Sequence, residues 1–113
     1  MEKDFLVYLD DIKEAVEKIE EYTRDLSYED FFERTETQDA VMRRITIIGE
    51  AAKRIPDAVK VRYAETPWRA ITGMRDKLIH EYSGIHIDRV WKVVRDDIAP
   101  LKQTIERMLK ELS

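Results

Sequence analysis

The chain has 113 residues, of which 39% are Asp, Glu, Lys or Arg and 43% are apolar, with three Gly, three Pro and no Cys. That is the length of a single domain, residues 1–113, able to bury a core without cross-links, and the lack of Cys excludes disulfides, thiolate metal sites and Cys nucleophiles. The net charge of −4 is unevenly placed: residues 1–40 hold 14 acidic against 5 basic side chains and residues 41–113 hold 10 against 15, so the basic part can hold a phosphate-bearing ligand, although a solvated mixed-charge helix surface explains the same counts.

No apolar run is long enough for a membrane span and the acidic N-terminal segment does not read as a secretory signal, so a cytoplasmic protein with no membrane contact is expected. Phe5, Leu9, Ile12, Val16 and Ile19 recur at steps of four and three, the seam of a long amphipathic helix. Ser27-Tyr28-Glu29-Asp30 has the form of a capping box leading into a short turn with Phe31 and Phe32, and Thr35-Glu36-Thr37-Gln38 reads as a second box. The seam that follows, Val41, Ile45, Ile48, Ala52 and Ile55, predicts a second long helix ended by Pro56.

Residues 57–64 read as a short helix. Thr66-Pro67 then supplies a capping hydroxyl and a first-turn proline for a helix from Trp68 to Tyr82, with Gly73 inside it and Ser83-Gly84 as its stop. Asp88 is placed to cap the last helix, whose seam is Trp91, Val94, Ile98, Leu101, Ile105, Met108 and Leu112. Pro100 should kink or split that helix near Ala99. No strand-like alternation or repeat is visible. The expected fold is all-α, an up-and-down bundle of about four or five helices.

Packing leaves one segment unexplained. On a straight helix with Arg75 at zero, Tyr82 falls at about −20°, Ile71 at about −40°, Leu78 at about −60° and Ile79 at about +40°, so Arg75 stands within an apolar stripe. Asp76 and His80, at about 100° and about 140°, flank it one turn apart. A guanidinium in such a stripe calls for a carboxylate, a ligand phosphate or a second subunit. Taken singly, each residue has an ordinary explanation: a snorkelling or ion-paired Arg75, a partly packed His80, a core Tyr82, and an Asp76–His80 pair that steadies the helix. The two histidines, His80 and His86, lack the carboxylate pattern of a metal site, so no metal and no cofactor are expected.

Taken together, Arg75-x4-His80-x-Tyr82 resembles the R-x4-6-H motif of the HEPN superfamily. The wider string is similar to the HepT-like toxin family: Pro67-Trp68, Ile71-x-Gly73-Met74-Arg75 and Leu78-Ile79-His80-Glu81-Tyr82, with Ile48-Gly49-Glu50-Ala51-Ala52 upstream and Val90-Trp91 and Asp97-Ile98-Ala99-Pro100-Leu101 downstream. This resemblance, which runs over nearly the whole chain, implies a HEPN-like helical homodimer with a composite, metal-independent ribonuclease site at the dyad. It also implies the toxin role in a type VII-like toxin-antitoxin pair, with an MntA-type nucleotidyltransferase as antitoxin. Arg75 and His80 match the catalytic positions, Asp76 and Tyr82 the supporting ones, and Tyr82 the acceptor of AMP from the antitoxin. Asp76 stands where the family commonly has Asn, placing an acid beside the phosphate site.

Metal-free RNA cleavage needs a base for the 2′-hydroxyl proton, an acid for the departing 5′-oxygen and a cation for the charge building on the phosphoryl oxygens. Histidine suits both proton roles, and a planar guanidinium suits the third. Two other readings fit the residues: a non-catalytic helical partner adenylylated by a small nucleotidyltransferase, and a structural dimer in which Arg75 pairs with an acid across the interface.

Overall fold

A computed structural model describes residues 4–80 and 84–113, with His80 described by its backbone. Helix α1 spans Leu6–Thr23, α2 Tyr28–Glu33 and α3 Thr35–Lys53. A short α4, Asp57–Lys60, runs into a 3-10 turn at Val61–Tyr63. Then come α5, Trp68–Thr72, and α6, Met74–Leu78, followed by a two-stranded antiparallel hairpin, β1 Ile79–His80 with β2 Gly84–Ile85. Helix α7 spans Ile87–Lys92, a π-helical turn covers Val93–Asp97, and α8 closes the chain at Ile98–Leu112. Among the described residues the fold is helical apart from that hairpin, as the periodicity predicts, but the long helices there are three, α1, α3 and α8, and the rest is broken into shorter segments than expected.

Helix α1 packs against both α3 and α8, and α3 also meets α5 and α6. Both early seams face the core as their spacing dictates: Leu9, Ile12, Val16 and Ile19 of α1, and Val41, Ile45, Ile48 and Ala52 of α3, are fully buried. Ile45 lies in the middle of this layer. Ile45→Ala should therefore cost roughly 2–5 kcal/mol, through lost burial plus the cavity left behind. The check is the urea midpoint at unchanged slope; a loss under about 1 kcal/mol would mean that the α1–α3 layer closes over the gap.

The box at Ser27 is present in full. Asp30 N–H donates to Ser27 Oγ at 3.1 Å, and Ser27 N–H donates to Asp30 Oδ2 at 3.2 Å, which holds the Asp30 carboxyl below the usual carboxylate range. A serine cap of this kind is worth about 1 kcal/mol. The second expected box is not formed. Gln38 turns away from the α3 N-terminus and its Nε2 donates to the Phe31 and Phe32 carbonyls, both at 2.9 Å, closing the end of α2 instead. Thr66 likewise caps nothing; its hydroxyl donates to Thr104 Oγ1 at 3.3 Å. Nor is Asp88 the cap of α7, since the helix begins one residue earlier, after His86.

The largest departure is in the expected Trp68–Tyr82 helix. It breaks at Gly73 and ends at Leu78, where Ile79 turns to extended backbone with φ −108° and ψ 125°. Ile79 pairs with Ile85 and His80 with Gly84, while His86 N–H donates to the Leu78 carbonyl at 2.8 Å. Ile79, Ile85 and Ile87 then all pack on the core from the hairpin and the start of α7. Gly84, at φ +87°, occupies backbone that a side chain would strain.

The split expected near Ala99 is found as the π turn just before it. Pro100 has no N–H and its ring crowds the carbonyl of Asp96. The wider turn relieves that conflict, with Ile98 N–H donating to the Val93 carbonyl. The π turn holds one extra residue, so the seam slips by one upstream of it. Val90 and Val93 are buried where Trp91 and Val94 were expected, and these two are only half-buried. Trp91 is not wasted, since its ring lies 5.1 Å from that of Phe31.

Candidate active site

Helix α6 buries Met74 and Leu78 and, with α5, Ile71; that seam leaves Arg75 on its flank. The guanidinium is half-exposed, at 50%, and its Nη1 lies 3.5 Å from Asp76 Oδ1, whose own side chain is 81% exposed. The expectation of Arg75 within the apolar stripe is thus corrected: the stripe is centred on Ile71, Met74 and Leu78, and Arg75 stands beside it. Because the helix ends at Leu78, wheel angles no longer relate Arg75 to His80 or Tyr82. His80 follows two residues later on β1, on the hairpin that leaves α6. Tyr82 lies outside the described residues.

Two hollows border α6. The larger, about 860 Å³, is a groove between α5–α6 and the π turn with α8; Ile71, Met74 and Leu78 face Val93, Ile98 and Leu101 across it. Charged residues of both signs line it, Lys77, Arg89, Lys92 and Arg107 with Glu65, Asp96 and Asp97. Burial, and then the neighbouring Asp96, push the Asp97 carboxyl up from its ordinary value. The smaller hollow, about 300 Å³, is a cleft between α3 and α5–α6, lined by Thr46, Gly49, Glu50, Lys53, Thr72, Arg75 and Asp76. It is Arg75's own cleft. Gly49 lies on its α3 wall, where a Cβ would sit in ordinary contact with the Thr72 carbonyl oxygen at 3.4 Å.

Glu50 and Lys53, whose Nζ lies 3.4 Å from Glu50 Oε1, were not recognised as neighbours of the motif from the sequence alone. Their signal was a glycine in the middle of a long helix, with charged residues one and four positions on. Among the described residues no group of three or more His, Asp or Glu side chains is placed to hold a metal ion. No helix among them is long and apolar enough to cross a membrane.

A family model described as Ribonuclease HepT-like matches residues 12–108. A protein of Thermococcus cleftensis named as a probable ribonuclease HepT is 50% identical over 103 residues, covering 91% of this chain and 94% of that protein. A Methanocaldococcus jannaschii protein, named as a gamma-glutamylcyclotransferase and candidate RNase, is 46% identical over 112 residues, covering 99% of this chain but 50% of its own length. Another candidate RNase of that organism is 36% identical over 110 residues, covering 97% of this chain and 95% of that protein. No solved structure matches the chain. A helical domain with one short hairpin among its described residues, matched over most of its length, is what these findings describe, and the chain belongs to the HepT-like ribonuclease family.

Proposed function

We propose that the chain is a metal-independent RNA endonuclease, the toxin of a type VII-like pair, with a composite active site at a homodimer interface and silenced by AMP transfer to Tyr82. The observation that carries the reading is the half-exposed Arg75 guanidinium at the mouth of a cleft, in a chain of this family. Its neighbour Asp76 is a surface partner of little strength, which an entering phosphate can displace through shorter, charge-assisted bonds. His80, two residues past the end of α6, supplies the proton chemistry. It takes the 2′-hydroxyl proton as that oxygen attacks the adjacent phosphorus, while a second imidazole, from the partner, protonates the departing 5′-oxygen. Arg75 stabilises the charge on the phosphoryl oxygens. The products would carry 2′,3′-cyclic phosphate and 5′-hydroxyl ends.

The groove beside α6 supports the dimer. Its apolar floor is a face that a second copy can cover, and its lining carries both signs of charge, Lys77, Arg89 and Arg107 with Glu65, Asp96 and Asp97, so a copy turned about a two-fold axis can set opposite charges together. Light scattering on the purified chain should report a dimer at micromolar concentration; a monomer would remove the composite site. A second reading, a non-catalytic partner that serves only as an adenylylation substrate, draws on Asp76, whose carboxylate at 3.5 Å competes for the guanidinium the phosphate needs.

A further inference from the structure

Lys53 ends α3 and, with Arg75 of α6, lines the 300 Å³ cleft between the two helices. We infer that this cleft is a second phosphate subsite on the path of the RNA strand, in which Lys53 holds a backbone phosphate next to the one that Arg75 engages. The inference rests on the ribonuclease reading and adds to it a substrate-positioning residue outside the motif.

Size and charge both carry it. Liquid water occupies about 30 Å³ per molecule, so the hollow takes a phosphodiester group with several waters. Each cation is accompanied by a carboxylate from its own helix: Glu50 lies one turn before Lys53, and Asp76 follows Arg75 directly. Both carboxylates are more exposed than the cations they accompany, Glu50 at 64% against Lys53 at 57%, and Asp76 at 81% against Arg75 at 50%. All four side chains are at least half exposed, and exposed pairs of this kind resist displacement by an entering phosphate only weakly. The hydroxyls in the wall do not compete, because Thr46 Oγ1 donates to the Met42 carbonyl and Thr72 Oγ1 to the Arg69 carbonyl, both at 3.0 Å. Among the described residues lining the cleft, that leaves the two cations as the anion-binding side chains. Gly49 brings no side chain into it.

The test uses the full chain and a fluorescent single-stranded RNA with every 2′-hydroxyl methylated, which binds but cannot be cut, titrated by anisotropy at several salt concentrations. Lys53→Ala should weaken binding about 3–10-fold at low salt and reduce the slope of log affinity against log salt by about 0.7, the value of one phosphate contact on a single strand. Lys53→Arg should keep both. With cleavable RNA, Lys53→Ala should raise KM and leave kcat unchanged, as loss of uniform binding requires. Unchanged affinity and slope in Lys53→Ala, or a loss confined to kcat, would overturn the subsite. A wild-type chain that binds the methylated RNA with the Lys53-dependent slope yet cuts no RNA would sustain the subsite and refute the ribonuclease reading. A wild-type chain that binds no RNA at low salt would overturn both.

Discussion

His80→Ala should lower the rate of RNA cleavage by roughly 10²-fold or more with the helical circular dichroism unchanged, because a positioned acid or base is typically worth 10²–10⁴. Arg75→Lys should fail about as badly. An ammonium keeps the charge but not the planar fork that grips two phosphoryl oxygens, and the half-exposed position of Arg75 lets the substitution be read without a folding penalty. The two variants should differ in kind as well as degree. Loss of the imidazole should flatten the pH–rate profile near neutrality, whereas loss of the guanidinium should lower the whole profile without changing its shape. Cleavage that survives both substitutions would remove the motif from the mechanism.

Coexpression with a nucleotidyltransferase partner should abolish cleavage by adding AMP to Tyr82, without unfolding the protein. The added phosphodiester brings one negative charge and two non-bridging oxygens, a group that can occupy the Arg75 guanidinium and repel an incoming RNA backbone. Tyr82→Phe removes the acceptor oxygen and keeps the ring. Intact-mass measurement should show one or more AMP units on wild type and none on Tyr82→Phe, and the variant should stay active beside the transferase. Equal modification of both proteins would place the acceptor elsewhere.

The layers of the fold were legible where one local pattern had no competitor. The seams of α1 and α3 repeat at four and three over many turns, so burial follows from spacing alone, and the Ser27 box satisfies two backbone donors within four residues. Two departures, at Gln38 and after Leu78, come from hydrogen bonds outside the expected helix that spacing does not encode. Gln38 had two uses, and the exposed carbonyls at the end of α2 won over the start of its own helix. The stretch after Leu78 could be counted on a wheel, but pairing with Gly84 and Ile85 offered its backbone an alternative, and the alternation of Ile85-His86-Ile87 was the overlooked sign. The proline in the last helix announced a disturbance without specifying a π turn, and that turn moved the buried set from Trp91 and Val94 to Val90 and Val93.

The site divides in the same way. Arg75, Asp76, His80 and Tyr82 were chosen from the order of residues in the motif, which does not depend on the helix continuing. The wheel that places Arg75 in an apolar stripe does depend on it, and the structure sets Arg75 beside that stripe, half-exposed at the cleft that α3 borders. Lys53 enters only through that packing, being more than twenty residues from Arg75 in sequence, and the same packing brings Glu50 of the upstream string beside the motif helix.

The most direct test of the central claim is the end chemistry left by the wild-type chain. The protein, purified without its partner, is incubated with a short single-stranded RNA in EDTA, and the fragments are weighed by mass spectrometry beside a His80→Ala control. Fragments ending in 2′,3′-cyclic phosphate and beginning with 5′-hydroxyl, formed by wild type and not by the control, are the predicted result; no cleavage, cleavage that needs added divalent metal, or equal cleavage by His80→Ala would contradict it.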